Sequence, residues 1–208
     1  MGLGKFITLE GGEGAGKTTQ AKYIKEFLQS QGKEVLLTRE PGGSTGAELI
    51  RNLLVDREAY SWDALTEYLL FTAARRDHIL QTIKPALEEG IWVICDRFYD
   101  SSLVYQGYVK HVALEKLETI YKFISEGIFP DLTLILNIAP EVGLKRAQKR
   151  SHHEDRFEQM GLHFHKEIQK GFLAIAESDA SRCKIVEAEG EELQIKETIL
   201  TIVQKALF

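Results

Sequence analysis

Phe6-Ile7-Thr8-Leu9-Glu10-Gly11-Gly12-Glu13-Gly14-Ala15-Gly16-Lys17-Thr18-Thr19 contains a complete G-x-x-x-x-G-K-[ST] pattern between Gly11 and Thr18. An apolar run, Phe6 to Leu9, leads into it and reads as a strand. Ala21, Ile24, Phe27 and Leu28 follow on one face at helical spacing, with Gly32 as the stop. A strand entering and a helix leaving is the context in which this pattern cradles phosphate. The glycines let backbone N–H groups turn towards phosphate oxygens, and the helix N-terminus adds the positive end of its dipole. Lys17 is expected to reach the β- and γ-phosphates of a bound nucleotide, and the Thr18 hydroxyl to ligate Mg²⁺.

Outward from this loop, short apolar runs alternate with helical patterns. Val35-Leu36-Leu37-Thr38 reads as a second strand, ending at Arg39-Glu40-Pro41-Gly42-Gly43. Thr45, with Glu48 three residues on, predicts a capping box for a helix running towards Arg57. A long helical region is expected from Asp63 to about Glu89, bent near Pro85. Ile91 to Cys95 is a continuous apolar run ending at Asp96, as a parallel strand covered on both faces requires. Leu114, Leu117, Ile120, Tyr121 and Ile124 mark another helix face, Leu132 to Ile138 a fourth strand, and Lys184 to Val186 a weaker fifth. The last helix directs Ile195, Ile199, Ile202, Val203 and Leu207 inward. Such alternation gives an α/β fold with a mostly parallel sheet. A chain of 208 residues suits one domain, residues 1–208, rather than two.

A net charge of −5 argues against nonspecific wrapping of nucleic acid, which needs a basic face, but leaves room for a small basic pocket. No apolar stretch approaches the ~20 residues that span a bilayer. The N-terminus lacks a signal-peptide core, and Phe6 stands where a myristoylation signal needs Ser or Thr, so a soluble cytoplasmic protein is expected. Cys95 and Cys183 are expected to be buried free thiols.

Asp96 ends a buried strand, where a second carboxylate can approach the magnesium. Arg97 beside it offers a guanidinium suited to bidentate phosphate contact. Four blocks then stand in order: Glu10-Gly-Gly-Glu13-Gly-Ala-Gly-Lys-Thr-Thr19, Thr38-Arg-Glu-Pro-Gly-Gly43, Leu70-Phe71-Thr-Ala-Ala-Arg75, and Asp96-Arg97-Phe-Tyr-Asp-Ser-Ser102-Leu-Val-Tyr105-Gln106-Gly107. Together they resemble the bacterial thymidylate kinases, over essentially the whole chain.

That resemblance implies a P-loop monophosphate-kinase fold, with five parallel strands, flanking helices and a mobile lid. It implies ATP and Mg²⁺ as cofactors, dTMP as the second substrate, dTTP synthesis as the purpose and a homodimer as the assembly. The ATP-binding set would be Gly11, Gly12, Glu13, Gly14, Ala15, Gly16, Lys17, Thr18 and Thr19, with Arg146 along the adenine. Glu13 would accept the sugar 3′-OH, Phe71 would stack on thymine, and Arg75 would donate to its O4. Ser102 and Gln106 would sit near the base, and Tyr105 would crowd the sugar 2′ carbon. Arg39, Arg51 and Arg97 would surround the acceptor phosphate. A polar segment, within about residues 146–160, corresponds to the lid. Gly14 leaves the P-loop without a cationic side chain at that point, so the lid would supply one: Arg156 first, Arg150 second. His152, His153, His163 and His165 fall in or near this segment at spacings that fit no standard zinc pattern, and read as part of a solvated lid.

A phosphate monoester has a second pKa of roughly 6, so as acceptor it is already dianionic near neutrality and needs no general base. What it needs is positive charge to bring two polyanions into line, from Lys17, Arg97, Arg156 and Mg²⁺. Glu13 could instead serve a sugar hydroxyl as base, which keeps a nucleoside kinase open. A kinase for another nucleotide stays open too; a P-loop switch or DNA-associated ATPase is the rival from a different class, but the acidic charge argues against DNA and the chain has no N-K-x-D guanine motif.

Overall fold

The computed structural model describes residues 3–55, 60–149, 157 and 160–208. Five parallel strands form one sheet: β1 (Phe6–Gly11), β2 (Val35–Arg39), β3 (Trp92–Asp96), β4 (Leu132–Asn137) and β5 (Cys183–Glu187), in the order β2-β3-β1-β4-β5. The register pairs Leu9 with Asp96, Arg39 with Asp96 and Gly11 with Leu136, so the C-terminal ends of the three central strands and β2 meet at one edge. In an open parallel sheet this is the edge where ligands bind.

Both faces of the three central strands are covered, which is why those strands read as continuous apolar runs. On one face Ile7, Leu9 and Ile94 pack against Ala21, Ile24 and Leu28 of α1 (Lys17–Ser30), and against Ile195, Ile199 and Val203 of α9 (Glu192–Leu207). On the other, Phe6, Val93 and Cys95 meet Ile79, Ile83, Tyr99 and Tyr121. Next to them Ile135 meets Val104 and Tyr105, with Ile168, Phe172 and Ile175 of α8 (Leu162–Ser178). Phe27, Ile202 and Leu207 are only partly buried at the rim of the first cluster. Cys95 and Cys183 are free and buried. No described helix is long and apolar enough to cross a membrane.

Three local expectations need correction. Helix α2 (Thr45–Val55) is capped by Ser44, not Thr45: the Ser44 hydroxyl accepts from Ala47 N at 3.4 Å, and Glu48 reaches back to Gly43 N at 3.0 Å. The expected reciprocal box is absent: Glu48 serves the amide ahead of the cap, and Asp77 from the next helix accepts from both the Ser44 hydroxyl (2.6 Å) and Ala47 N (3.2 Å). Arg57, towards which this helix was expected to run, lies outside the described residues. The long helix does start at the Asp63 cap, as α3 (Ala64–His78), but then widens into a π-turn over Ile79–Ile83 before α4 (Lys84–Glu88). Lys84 N bonds five residues back to Ile79 O, and the widened turn accommodates Pro85, which has no N–H to give. His165 lies buried within α8 rather than in a solvated lid.

After β3 the chain forms α5 (Tyr99–Ser102) and a second π-turn, Leu103–Val109. Helix α6 (Leu114–Ile124) follows as the sequence indicated, and α7 (Pro140–Gln148) follows β4.

Candidate active site

The loop after β1 closes against α7 through two glycines. A Cβ on Gly14 would stand 1.9 Å from the Gly143 carbonyl oxygen, and one on Gly143 would stand 2.3 Å from that of Glu13. Gly14 also holds φ 69, so position 14 admits glycine on both counts. At the start of α1, Lys17 Nζ donates to the carbonyls of Gly11 (3.1 Å) and Gly12 (2.8 Å). Burial, then the neighbouring Arg97, pulls the Lys17 ammonium down to about 8. The Thr18 hydroxyl donates to Asp96 Oδ2 at 2.6 Å. A hydroxyl and a carboxylate oxygen side by side at a helix N-terminus are the hard donors that Mg²⁺ takes.

Arg97 follows Asp96 with φ 67, a left-handed conformation that costs a non-glycine residue. Its Nη1 donates to Gly11 O (2.9 Å) and Ser101 Oγ (3.3 Å), and its Nη2 to Glu13 Oε1. Burial works against ionisation of Glu13, but Arg97 and Lys17 outweigh it and hold the carboxyl below its usual range. Tyr105 Oη donates to the same Glu13 oxygen at 3.4 Å, and the Arg97 guanidinium lies 5.5 Å from the Tyr105 ring centre.

From this loop a cavity of about 330 Å³ runs towards α3, within the size range of small-molecule sites. It is lined by Glu13, Lys17, Thr18, Arg39, Arg51, Phe71, Arg75, Asp96, Arg97, Ser102, Tyr105 and Gln106, so the residues read from the sequence for acceptor and metal share one chamber. Arg75 is the largest wholly buried side chain among the described residues. Its Nε donates to Glu40 Oε2 (2.7 Å), Nη1 to Ser102 Oγ (3.2 Å) and Nη2 to Phe98 O (3.1 Å). Gln106 Nε2 donates to the buried Glu67 Oε1 at 2.8 Å, an oxygen shared with Lys110 Nζ at 2.6 Å. Towards the other end, Arg39 pairs with Glu48 and Arg51 donates to Pro41 O at 2.6 Å.

Thr19 and Arg146 face a separate depression, with Gly14, Ala15 and Gly16, on the outer side of the loop. Arg146 Nη1 donates to Ala188 O at 2.8 Å, which places it beside the end of β5. Gly11 and Gly12 line a smaller hollow under the loop. Arg150 and Arg156 lie outside the described residues.

Sequence reading missed the carboxylates that hold these groups. Glu40 accepts from Arg75 on one oxygen and meets His78 Nδ1 at 3.0 Å on the other, and His78 Nε2 lies 2.8 Å from Thr38 Oγ1. Arg75 and His78, three apart on a helix, share a face; two such groups beside an acid just past a strand carried that signal. Glu10, to which the sequence pattern gave no role, is the one acid inside the apolar run of β1.

Comparison with known proteins supplies the family. The family model described as thymidylate kinase matches residues 9–199. The thymidylate kinase of Bradyrhizobium sp. is 44% identical, covering 100% of this chain and 92% of that one. That of Jannaschia sp. is 48% identical over 97% of each chain. The crystal structure of thymidylate kinase from Ehrlichia chaffeensis superposes with a TM-score of 0.76 at 32% identity, covering 97% of this chain and 99% of that one. With matches of this extent the chain belongs to the thymidylate kinase family.

Proposed function

We propose that this site transfers the γ-phosphoryl group of ATP to dTMP, giving ADP and dTDP for dTTP synthesis. One observation carries the reading: a single cavity joins the P-loop Lys17 and Arg97 to an end walled by Phe71, Arg75, Ser102 and Gln106.

At the base end Phe71 stacks on thymine and Arg75 donates to O4. Glu67 can only accept, so it turns the Gln106 amide nitrogen to itself and leaves the carbonyl for thymine N3–H. Cytosine carries an unprotonated N3 and a 4-amino group, and would meet acceptor with acceptor and donor with donor. Glu13, held ionised by Arg97 and Lys17, takes the sugar 3′-OH, and Tyr105 stands where a 2′-OH would project. Arg39, Arg51 and Arg97 receive the acceptor phosphate. Because that phosphate is already dianionic (second pKa roughly 6), no side chain removes a proton; alignment and positive charge do the catalysis.

On the donor side, the P-loop amides and Lys17 hold the β- and γ-phosphates, with Arg146 beside the adenine. Thr18 and Asp96 would hold Mg²⁺, which supplies charge neutralisation between the phosphates when bound. Position 14 faces the Gly143 carbonyl and has no room for an arginine, which supports a lid arginine, Arg156 or Arg150, as the further cation.

Two coarser features complete the proposal. Exposed Leu49 and Leu53 on α2, with Leu65 and Leu69 on α3, form i, i+4 apolar pairs suited to a second copy, supporting a homodimer. We assign the reaction to the cytoplasm because its substrates are nucleotides. The test is ADP release from ATP and Mg²⁺ with and without dTMP: release should require dTMP, and equal ATP consumption without an acceptor would refute the reading.

A further inference from the structure

Beneath the P-loop lies a buried acidic group that the transfer mechanism does not use. Glu10, the residue before Gly11, is fully buried at the end of β1. Its Oε1 accepts from Phe98 N (2.8 Å) and Ser101 N (3.3 Å), and its Oε2 from Ser101 Oγ (2.6 Å). Three bonds from one carboxylate thus fasten the segment that begins at Arg97. That segment needs fastening, since Arg97 holds φ 67 and a non-glycine residue leaves this region when released. Ser101 Oγ also accepts from Arg97 Nη1 at 3.3 Å, while Arg97 Nη1 meets Gly11 O, the carbonyl next to Glu10 itself.

We infer that Glu10 is a positioning residue for phosphoryl transfer: through Ser101 and the Phe98 backbone it fixes the Arg97 guanidinium against the P-loop. The inference rests on the proposed role of Arg97 at the phosphates. It explains why a carboxylate is kept inside a strand that otherwise buries Phe6, Ile7 and Leu9. A second carboxylate, Asp100, lies in the same interior and is taken up by Arg182, whose Nη1 and Nη2 donate to it at 2.7 and 2.9 Å. Burial, then Asp100, pushes the Glu10 carboxyl up to about 7, with Ser101, Arg97 and Phe98 N pulling the other way. Retaining an acid there at that cost suits a hydrogen-bonding task more than a packing one.

The test is a double-mutant cycle on kcat, read with dTMP and ATP saturating. Glu10→Ala should lower kcat about 10²-fold, the scale of a misplaced catalytic group, and leave the ATP KM within about threefold. Glu10→Gln keeps an acceptor for Phe98 N and a partner for Ser101 Oγ, and should stay within about fivefold of the parent, whereas a role for the charge itself would make it as poor as alanine. In an Arg97→Ala background Glu10→Ala should add less than about threefold, because residues acting through one another are not additive. If the full loss persists without Arg97, Glu10 does not act through it and the inference is overturned. Should Glu10→Ala fail to fold, Ser101→Ala decides by the same criterion: about tenfold with Arg97 present and none without it. If Arg97→Ala alone leaves kcat unchanged, the proposed role of Arg97 fails first and takes this inference with it; an additive result against a damaging Arg97→Ala sinks only the role of Glu10.

Discussion

The two ends of the cavity are built differently. At the end proposed for the base, Arg75 has 2% of its side chain exposed and bonds to a carboxylate, a hydroxyl and a carbonyl. At the end proposed for the acceptor phosphate, Arg39 has 51% exposed and, among the described residues, a single acidic partner, Glu48. Both are arginines facing the same chamber. The buried one has lost its rotamer freedom to the fold, so a base bound as proposed would meet a donor already aimed. The exposed one stays adjustable and is suited to a phosphate whose position changes during transfer. Selection by shape and hydrogen bonding belongs at the rigid end, and accommodation of charge at the other.

The largest expected effect breaks the rigid end. Arg75→Ala should lower kcat/KM for dTMP by about 10³-fold or more, because it removes a donor from a site built around it. The same change leaves Glu40 buried beside His78, and should cost about 3–5 kcal/mol in a denaturant melt. Loss of activity with unchanged stability would mean that the buried pair is no scaffold for this end. Arg75→Lys separates the two roles: one ammonium can meet Glu40 but cannot also meet Ser102 and Phe98 O, so stability should recover further than specificity.

A smaller effect probes the phosphate end by pH. Lys17 is pulled down to about 8 and must be charged to meet phosphate. Deprotonation occurs as pH rises, so kcat/KM for ATP should fall about tenfold per unit above about 8 in the free protein. The stability sign is opposite: the unfolded chain binds this proton more tightly, so folding gains as pH rises from about 8 towards the ordinary lysine range. A flat kcat/KM profile to about pH 10, near the ordinary lysine value, would contradict the burial of Lys17 against Arg97.

The smallest effect is at the exposed arginine. Arg39→Ala should leave thermal stability nearly unchanged, within about 0.5 kcal/mol as for most surface changes, and raise the dTMP KM about three- to tenfold. A destabilisation as large as that of Arg75→Ala would erase the contrast between the two ends.

Much of this contrast could be read before the fold was known, and part could not. The P-loop declared itself through glycines whose backbone angles no other residue takes cheaply, and the three central strands through apolar runs that two-sided burial demands, while the edge strand β5, half-exposed, gave a weaker signal. Arg39, Arg75, Ser102 and Gln106 were each picked out, and the fold brings them to one chamber. What remained hidden was which arginine would be buried, because burial depends on Glu40 arriving from another element 35 residues away. The π-turns at Ile79–Ile83 and Leu103–Val109 were also invisible, since they break the helical period that sequence reading relies on. Glu10 stood in plain view beside the P-loop. Its partners Phe98 and Ser101 lie 88 and 91 residues on, so no local pattern pointed to its task.

The most direct test of the central claim is kcat/KM measured by coupled ADP release for dTMP, dUMP, dCMP, AMP and GMP on the same preparation. dTMP should exceed dCMP, AMP and GMP by at least about 100-fold. dUMP should remain a detectable but poorer substrate, since one methyl contact is worth about 1–3 kcal/mol. If dCMP or AMP proves as good as dTMP, the pocket of Phe71, Arg75 and Gln106 does not read thymine, and the assignment of the rigid end is wrong.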